Sequence, residues 1–466
     1  MTPKALLLAA VLATPVAVSA QPVRPDQASF RALYEELVET NTSLSAGSCT
    51  LAAERLGAHL KAAGFKDSEL TFFADPAHPK EGGLVAVLPG SDPKAKPILL
   101  LAHLDVVEAK REDWTRDPYD FIEENGFFYG RGVADDKAQA AIWTDTLARY
   151  RKAGKVPKRT LKLAMTCGEE TTYAFNGADW LAKNRPDLIA AEYALNEGGG
   201  GRLDANGKPI VMTVQVGEKT VQNYQIEATN PGGHSSVPRP DNAITDLAAA
   251  IVKVNSFDFP TQFNATTTSF FTAISGIAPA PMGPALKTLL ANPSDPAANA
   301  IVNKDPMFHS MLRTTCVVTQ ISAGHANNAL AQRATANINC RLFPGTDPEA
   351  VRAELARAIG NPNVKVTLTP PVRPIAKAPP LDPAVIGPMK TLSEKYFPGV
   401  PFLATMSTGA TDGIFLSPVG IPTYGVAGIF GDADGNGAHG LNERLRVKSV
   451  YEGRDYLYEL VGILAD

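Results

Sequence analysis

Apolar and polar positions divide the chain into two textures. As far as about Gly217, short apolar runs bounded by Pro and Gly alternate with longer helical stretches. The runs 83–88 and 98–107 read as buried parallel strands, because a strand covered on both faces loses the alternation of a half-exposed one. Residues 160–167 and 191–196 read as further strands, and 136–150 as a helix stopped by Gly154. This order predicts an α/β sheet covered by helices. From about Glu218 the texture changes. Residues 221–229 alternate as a half-exposed strand, 242–254 are helical, and 314–321, 334–342 and 364–369 read as strands. Thr346-Asp347-Pro348 caps a helix that ends at Gly360. Strands with two helices predict a small α+β sandwich. Residues 257–311, rich in Pro, Ala and Thr, look like an insertion in it, and 370–380 like a Pro-rich linker. The expected layout is one domain over 21–217 and 371–466, interrupted by a second over 218–370.

The N-terminus departs from both textures. Lys4 precedes the apolar run 5–18, and Val18-Ser19-Ala20 is a small-x-small cleavage site before Gln21, so 1–20 reads as a signal peptide. An uncleaved anchor or a buried helix is the alternative, but the run is shorter than the roughly 20 residues a membrane span needs. The expectation is export to the periplasm or beyond, without a stable membrane anchor. Lys+Arg at 44 against Asp+Glu at 48 leaves a net charge of -4 and no basic stripe, which argues against a nucleic-acid partner. Cys49, Cys167, Cys316 and Cys340 lack C-x-x-C spacing, so a structural zinc knot is not expected. Cys316 and Cys340 lie on two strand-like runs and could face each other.

Candidate chemistry gathers at predicted strand ends, where open α/β folds bind their ligands. In His103-Leu104-Asp105, residues two apart on a strand point the same way, so Asp105 can orient the His103 imidazole; a buried, satisfied pair is the alternative. Asp135 and Asp136 precede a helix and either cap it or share a cation. Glu169 and Glu170 repel each other unless solvated or beside positive charge, which metal ions would supply. Glu197 precedes four glycines, which permit close backbone approach or simply a mobile loop. His439 sits between glycines near the C-terminus. Together these positions offer two His and three carboxylates, the mixed nitrogen and oxygen set that suits zinc.

The segments HLDVV (103–107), GRGVADDK (130–137), GEE (168–170), NEGG (196–199) and AHGLNERL (438–445) resemble, in this order, the motifs of a di-zinc hydrolase family. That family contains aminoacylases, acetylornithine deacetylase, succinyl-diaminopimelate desuccinylase, glutamate carboxypeptidase and carboxypeptidase S. The stretch 313–345 with the insertion before it is most similar to the carboxypeptidase S branch. The resemblance implies a mixed-sheet zinc-peptidase catalytic domain with an inserted α+β sandwich that serves as lid and dimerisation domain. It implies two divalent ions, zinc with cobalt or manganese as alternatives. His103 and Glu197 would hold one ion, Glu170 and His439 the other, and Asp135 would bridge them, followed by a cis peptide to Asp136. Glu169 would be the general base and Asp105 the support of His103. His234, in a GGHSS-like stretch, would stabilise the oxyanion, often across a dimer. Asn328 and Arg341 would hold a substrate carboxylate, and Gly409 would line the pocket. The activity implied is hydrolysis of an amide beside a free carboxylate, in a peptide or an N-acyl amino acid. A di-zinc aminopeptidase is the rival within this chemistry. An exported solute-binding protein is the rival outside it, although such a protein needs no acidic pair at Glu169-Glu170. His59, His78, His309 and His325 match no motif.

Overall fold

The computed structural model describes residues 24–171 and 175–466, so the expected signal peptide lies outside the described residues. At the centre of the fold is Ile98–His103, in which every side chain is buried. Ile98, Leu100 and Ala102 turn to one apolar core, Leu99 and Leu101 to another. A strand faces two cores only when both sides of its sheet are covered, which is why its sequence shows no alternation. In chain order the first strands of this large sheet are Leu70–Asp75 (β1), His78–Leu88 (β2), Ile98–His103 (β3), Leu161–Thr166 (β4), Tyr193–Asn196 (β5), Gly200–Leu203 (β6) and Pro209–Glu218 (β7). β3 runs parallel to β4 and β5, as expected, but β2 is antiparallel to β4. The apolar run 98–107 is also shorter as a strand than its sequence indicates. The chain leaves the sheet at His103, and Val106 makes an isolated bridge to Ser43.

The helix Lys137–Lys152 lies against one face, its Trp143 indole donating to the Leu101 carbonyl at 3.2 Å. Helices Pro25–Glu39, Cys49–Ala62 and Val447–Ala465 share that core. No helix among the described residues is long and apolar enough to cross a membrane.

After β7 the chain builds a second sheet from Thr220–Thr229 (β8), Thr315–Ala323 (β9), Arg333–Leu342 (β10) and Val364–Thr369 (β11), antiparallel in the order β9-β10-β8-β11. Tyr224, Ile226, Ala336 and Ile338 pack on helices Ala243–Asn255 and Pro348–Ile359. The second of these helices is delimited as its sequence predicts. The Asp347 carboxylate accepts from the Glu349 N–H, Pro348 takes the first position, and Gly360 closes it at φ 62°. Val221, Asn223, Asn339 and Arg341 occupy the alternating positions of the other face. Val221 stands directly opposite Arg341, and Asn339 donates to Asn223 at 2.9 Å. Residues 257–311 form four short helices around Phe271, Leu286, Leu289 and Val302, and Thr266 ties them to the large sheet by donating to the Val216 carbonyl at 2.8 Å.

Cys316 and Cys340 are directly paired across β9 and β10 and form a disulfide. A second disulfide, Cys49–Cys167, was not foreseen from the sequence. Beyond the linker, Phe402–Ser407 (β12), Thr423–Gly425 (β13) and Phe430–Gly431 (β14) rejoin the large sheet. Its order is β1-β2-β4-β3-β5-β13-β7-β6-β14, with β12 beside β7.

Candidate metal centre

Three of the ligand segments leave the carboxyl ends of adjacent parallel strands. His103 ends β3, Glu169 and Glu170 follow β4, and Glu197 follows Asn196 at the end of β5. Their common direction opens all three onto one cleft. Asp135 stands before a helix, as its sequence indicates. It comes from the turn ahead of helix Lys137–Lys152, beyond the small hairpin Ile122–Glu124 and Phe127–Tyr129. His439, in the loop after β14, has a left-handed backbone at φ 58°.

Asp135 stands between the two histidines. Its Oδ1 lies 3.1 Å from His103 Nε2 and its Oδ2 3.1 Å from His439 Nε2. Glu197 Oε2 approaches the same His103 nitrogen at 3.8 Å, and Glu170 Oε1 lies 2.7 Å from His439 Nε2. The five side chains thus form two mixed sets that share one carboxylate. The Asp135–Asp136 peptide is cis. Glu169 joins His103 and Glu197 in a second close grouping of potential ligand atoms.

Burial raises Glu197 above its ordinary value, and burial followed by the Glu197 charge raises Glu169 well above its own. Burial also opposes ionisation of Asp135, but His103 and His439 outweigh it and hold Asp135 low. Burial pulls His103 down, yet the carboxylates of Glu197, Asp105 and Asp135 lift it well above the usual imidazole range. His439 is pushed up to about 10 by its hydrogen bonds to Asp135 and Glu170. Five carboxyl groups, those of Asp105, Asp135, Glu169, Glu170 and Glu197, therefore crowd two imidazoles. A pair of divalent cations would supply the missing positive charge, and the donor atoms present fit such a pair.

Asp105 supports this cluster differently from the sequence expectation. The His103 Nδ1–H donates to the Asp105 backbone carbonyl at 3.0 Å, which leaves Nε2 as the ligating nitrogen; the carboxylate is farther, at 3.6 Å. The carboxylate instead accepts from the N–H groups of Glu170 at 2.9 Å and Glu169 at 3.3 Å. It thereby fixes the backbone of both glutamates.

Two further carboxylates escaped the sequence reading. Glu443, fully buried, accepts from the Asp135 N–H at 3.0 Å, from Ala134 and Gly132 at 2.7 and 2.9 Å, and from Arg131 at 2.8 Å. It sets the backbone from which Asp135 projects. Asp412, also buried, accepts from Thr166 at 2.7 Å and from Asn176 at 2.6 Å, and Asn176 donates in turn to the Gly168 carbonyl at 3.1 Å. That network and the Cys49–Cys167 bond flank the glutamate pair. Glu443 lies inside the AHGLNERL stretch, and Asp412 three residues after Gly409. The spacing gave no reason to look beyond His439 and Gly409.

The residues expected on the substrate side are spread wider. Gly409 accepts from the Lys219 N–H at 3.1 Å, beside Ala410 and Thr411, which line a cavity with Glu169. Val221 and Asn223 of the small sheet line the same cavity, and Arg341 stands one strand away on that face. His234 and Asn328 are not brought to the cluster. Both are exposed, joined where the Ser235 N–H donates to the Asn328 carbonyl at 2.9 Å, and the His234 ring meets Ser236 Oγ at 2.7 Å.

The chain is similar in sequence and in fold to several known proteins. The chain is 26% identical over 381 residues to the human N-fatty-acyl-amino acid synthase/hydrolase PM20D1, covering 80% of this chain and 75% of that one. It is 28% identical over 276 residues to carboxypeptidase S of Saccharomyces cerevisiae, covering 56% and 48%. The fold is similar to the crystal structure of the M20 family metallo-carboxypeptidase Sso-CP2 from Sulfolobus solfataricus, with a TM-score of 0.68 at 20% identity over 94% of this chain and 99% of that one. Residues 99–462, which hold every candidate ligand, match peptidase family M20/M25/M40, and the chain belongs to that family.

Proposed function

We propose that this chain is a metal-dependent hydrolase that cleaves an amide beside a free carboxylate, releasing an amino acid from a peptide or an N-acyl amino acid. The observation that carries this reading is the division of labour at 169–170. The Asp105 carboxylate holds both backbones, Glu170 meets His439, and Glu169 faces the cavity. His103 and Glu197 would hold one ion and Glu170 and His439 the other, with Asp135 between them; zinc is the first choice, cobalt and manganese the alternatives. Such a pair polarises an amide carbonyl and acidifies water when bound. Glu169 takes the proton from the attacking water and gives it to the leaving nitrogen. Arg341 reads the substrate carboxylate, for which a guanidinium fork is suited, and Asn328, exposed beside His234, would join it from a partner copy. The human relative's name, an N-fatty-acyl-amino acid hydrolase, and the yeast carboxypeptidase support this class of substrate.

The exposed position of His234 supports a homodimer in which the His234 of each copy completes the cleft of the other. Two disulfides support export, since such bonds persist in oxidising compartments. The test is a paired assay of the mature protein on dipeptides and N-acyl amino acids, with their carboxyl-amidated analogues as controls. Turnover of either acid class, lost on amidation, is the expected result. Preference for the amidated forms would instead favour an aminopeptidase.

A further inference from the structure

Lys219 is the single residue between β7 and β8, where the chain passes from the large sheet to the small one. Its side chain is fully buried. Its amine meets two hydroxyls, Ser310 Oγ of helix Pro306–Met311 at 3.1 Å and Thr315 Oγ1 of β9 at 3.2 Å, and no carboxylate bonds to it among the described residues. A buried ammonium ordinarily has an anion beside it, because hydroxyl dipoles alone do not replace its lost hydration.

The charges around Lys219 deepen this deficit. Burial, followed by the guanidiniums of Arg341 and Arg313, pulls it down to about 7. Arg313 is itself buried and donates to Thr261, Asn299 and Asn303 at 2.8, 3.1 and 2.7 Å. His309, next to Ser310, is lowered by burial and then by Arg313. Asp258 faces these two residues, 3.7 Å from Arg313 and 3.5 Å from His309, and stays largely exposed. Glu218, the residue before Lys219, bonds instead to Gln215 and Thr411.

Thr315 connects Lys219 to the cleft. Thr315 and Val221 stand directly opposite Arg341, one on each neighbouring strand. Directly opposed residues share a face of the sheet, and Val221 lines the cavity that holds Glu169. Lys219 therefore stands one side chain behind the guanidinium that reads the substrate carboxylate. A carboxylate arriving there supplies the missing anion, and a proton taken from solvent then settles on the amine.

We infer that Lys219 is a specificity-determining residue of this site: from behind Thr315 it becomes charged as the substrate carboxylate reaches Arg341, which couples the binding of an acid to the uptake of a proton. The inference rests on the hydrolase reading above. Below about pH 7 the free protein already carries the charge, and affinity for the acid is full; above it binding must draw in a proton, and affinity falls. The test is the pH dependence of KM between about pH 6 and pH 9, for one dipeptide or N-acyl amino acid, in the metal-loaded wild-type, Lys219→Met and Lys219→Arg proteins. In the wild type KM is flat to about pH 7 and rises beyond it. Lys219→Met raises KM about tenfold at the acid end, as expected of a charge one side chain away, with kcat little changed. Its KM no longer rises with pH and meets that of the wild type at the alkaline end. Lys219→Arg, charged throughout, keeps KM low across the range. Should neither variant fold, the wild-type profile decides. A wild-type KM that stays flat, or parallel profiles in wild type and Lys219→Met, overturns the role of Lys219 and leaves the hydrolase reading intact. Failure of the wild type on dipeptides and N-acyl amino acids alike overturns both.

Discussion

At the scale of single residues, the two adjacent glutamates have distinct positions because Asp105 binds both of their backbones. Glu169→Gln keeps the shape and removes the base. Turnover should fall by about 10²–10⁴-fold, with metal content unchanged by elemental analysis; a variant that still turns over removes Glu169 from the base role. Glu443 makes a different prediction. It lies too far along the chain from Asp135 for spacing to connect them, yet it accepts from the Asp135 N–H and from the buried Arg131. Glu443→Ala strands that guanidinium and should cost about 3–5 kcal/mol in urea unfolding. It should also weaken metal binding, since the turn carrying Asp135 loses its anchor. The ligands were legible because each carries a chemically distinctive side chain in a short motif. Glu443 and Asp412 were not, because a buried carboxylate serving backbone N–H groups looks in sequence like any surface acid.

At the scale of elements, strands covered on both faces gave the clearest signal, as the unbroken apolar run of β3 shows. Direction was harder to read: β2 has the same buried texture as β3 but runs antiparallel to its neighbour, a matter of which strand it meets rather than of its residues. Helix Pro348–Ile359 was legible at both ends from its cap, proline and glycine. The 257–311 segment was not, because its helices bury their apolar residues against one another and not against a sheet. The Cys49–Cys167 bond ties the first residue of helix Cys49–Ala62 to the segment that carries the glutamate pair, across 118 residues. Replacing both cysteines with serine should lower stability by about 2–5 kcal/mol, read as a shift of the urea midpoint. An unshifted midpoint would mean that the bond constrains nothing the fold does not already fix.

At the scale of the whole molecule, the small sheet presents one polar face to the cleft. The separate, two-stranded pairing of Gly233–His234 with Ala329–Leu330 carries His234 away from the cluster of its own chain. If each copy completes the other's cleft, Glu169→Gln and His234→Ala chains, each inactive alone, should recover about a quarter of wild-type activity when mixed at equal ratio and allowed to exchange, because one pairing in four statistical arrangements of sites is intact. No recovery in an exchanged mixture would place His234 in service of its own chain. This arrangement could not be read geometrically from the sequence, since the distance between two loops of one chain depends on how both domains are set.

The account turns on Asp135 as the carboxylate shared by two metal sites, one with His103 and Glu197, the other with Glu170 and His439. The most direct measurement is metal stoichiometry per chain after dialysis against zinc, in the wild type and in Asp135→Ala. The wild type should hold two ions per chain and the variant fewer than one, because removing a shared ligand weakens both sites at once. A wild type that holds a single ion, or a variant that still holds two, would contradict it.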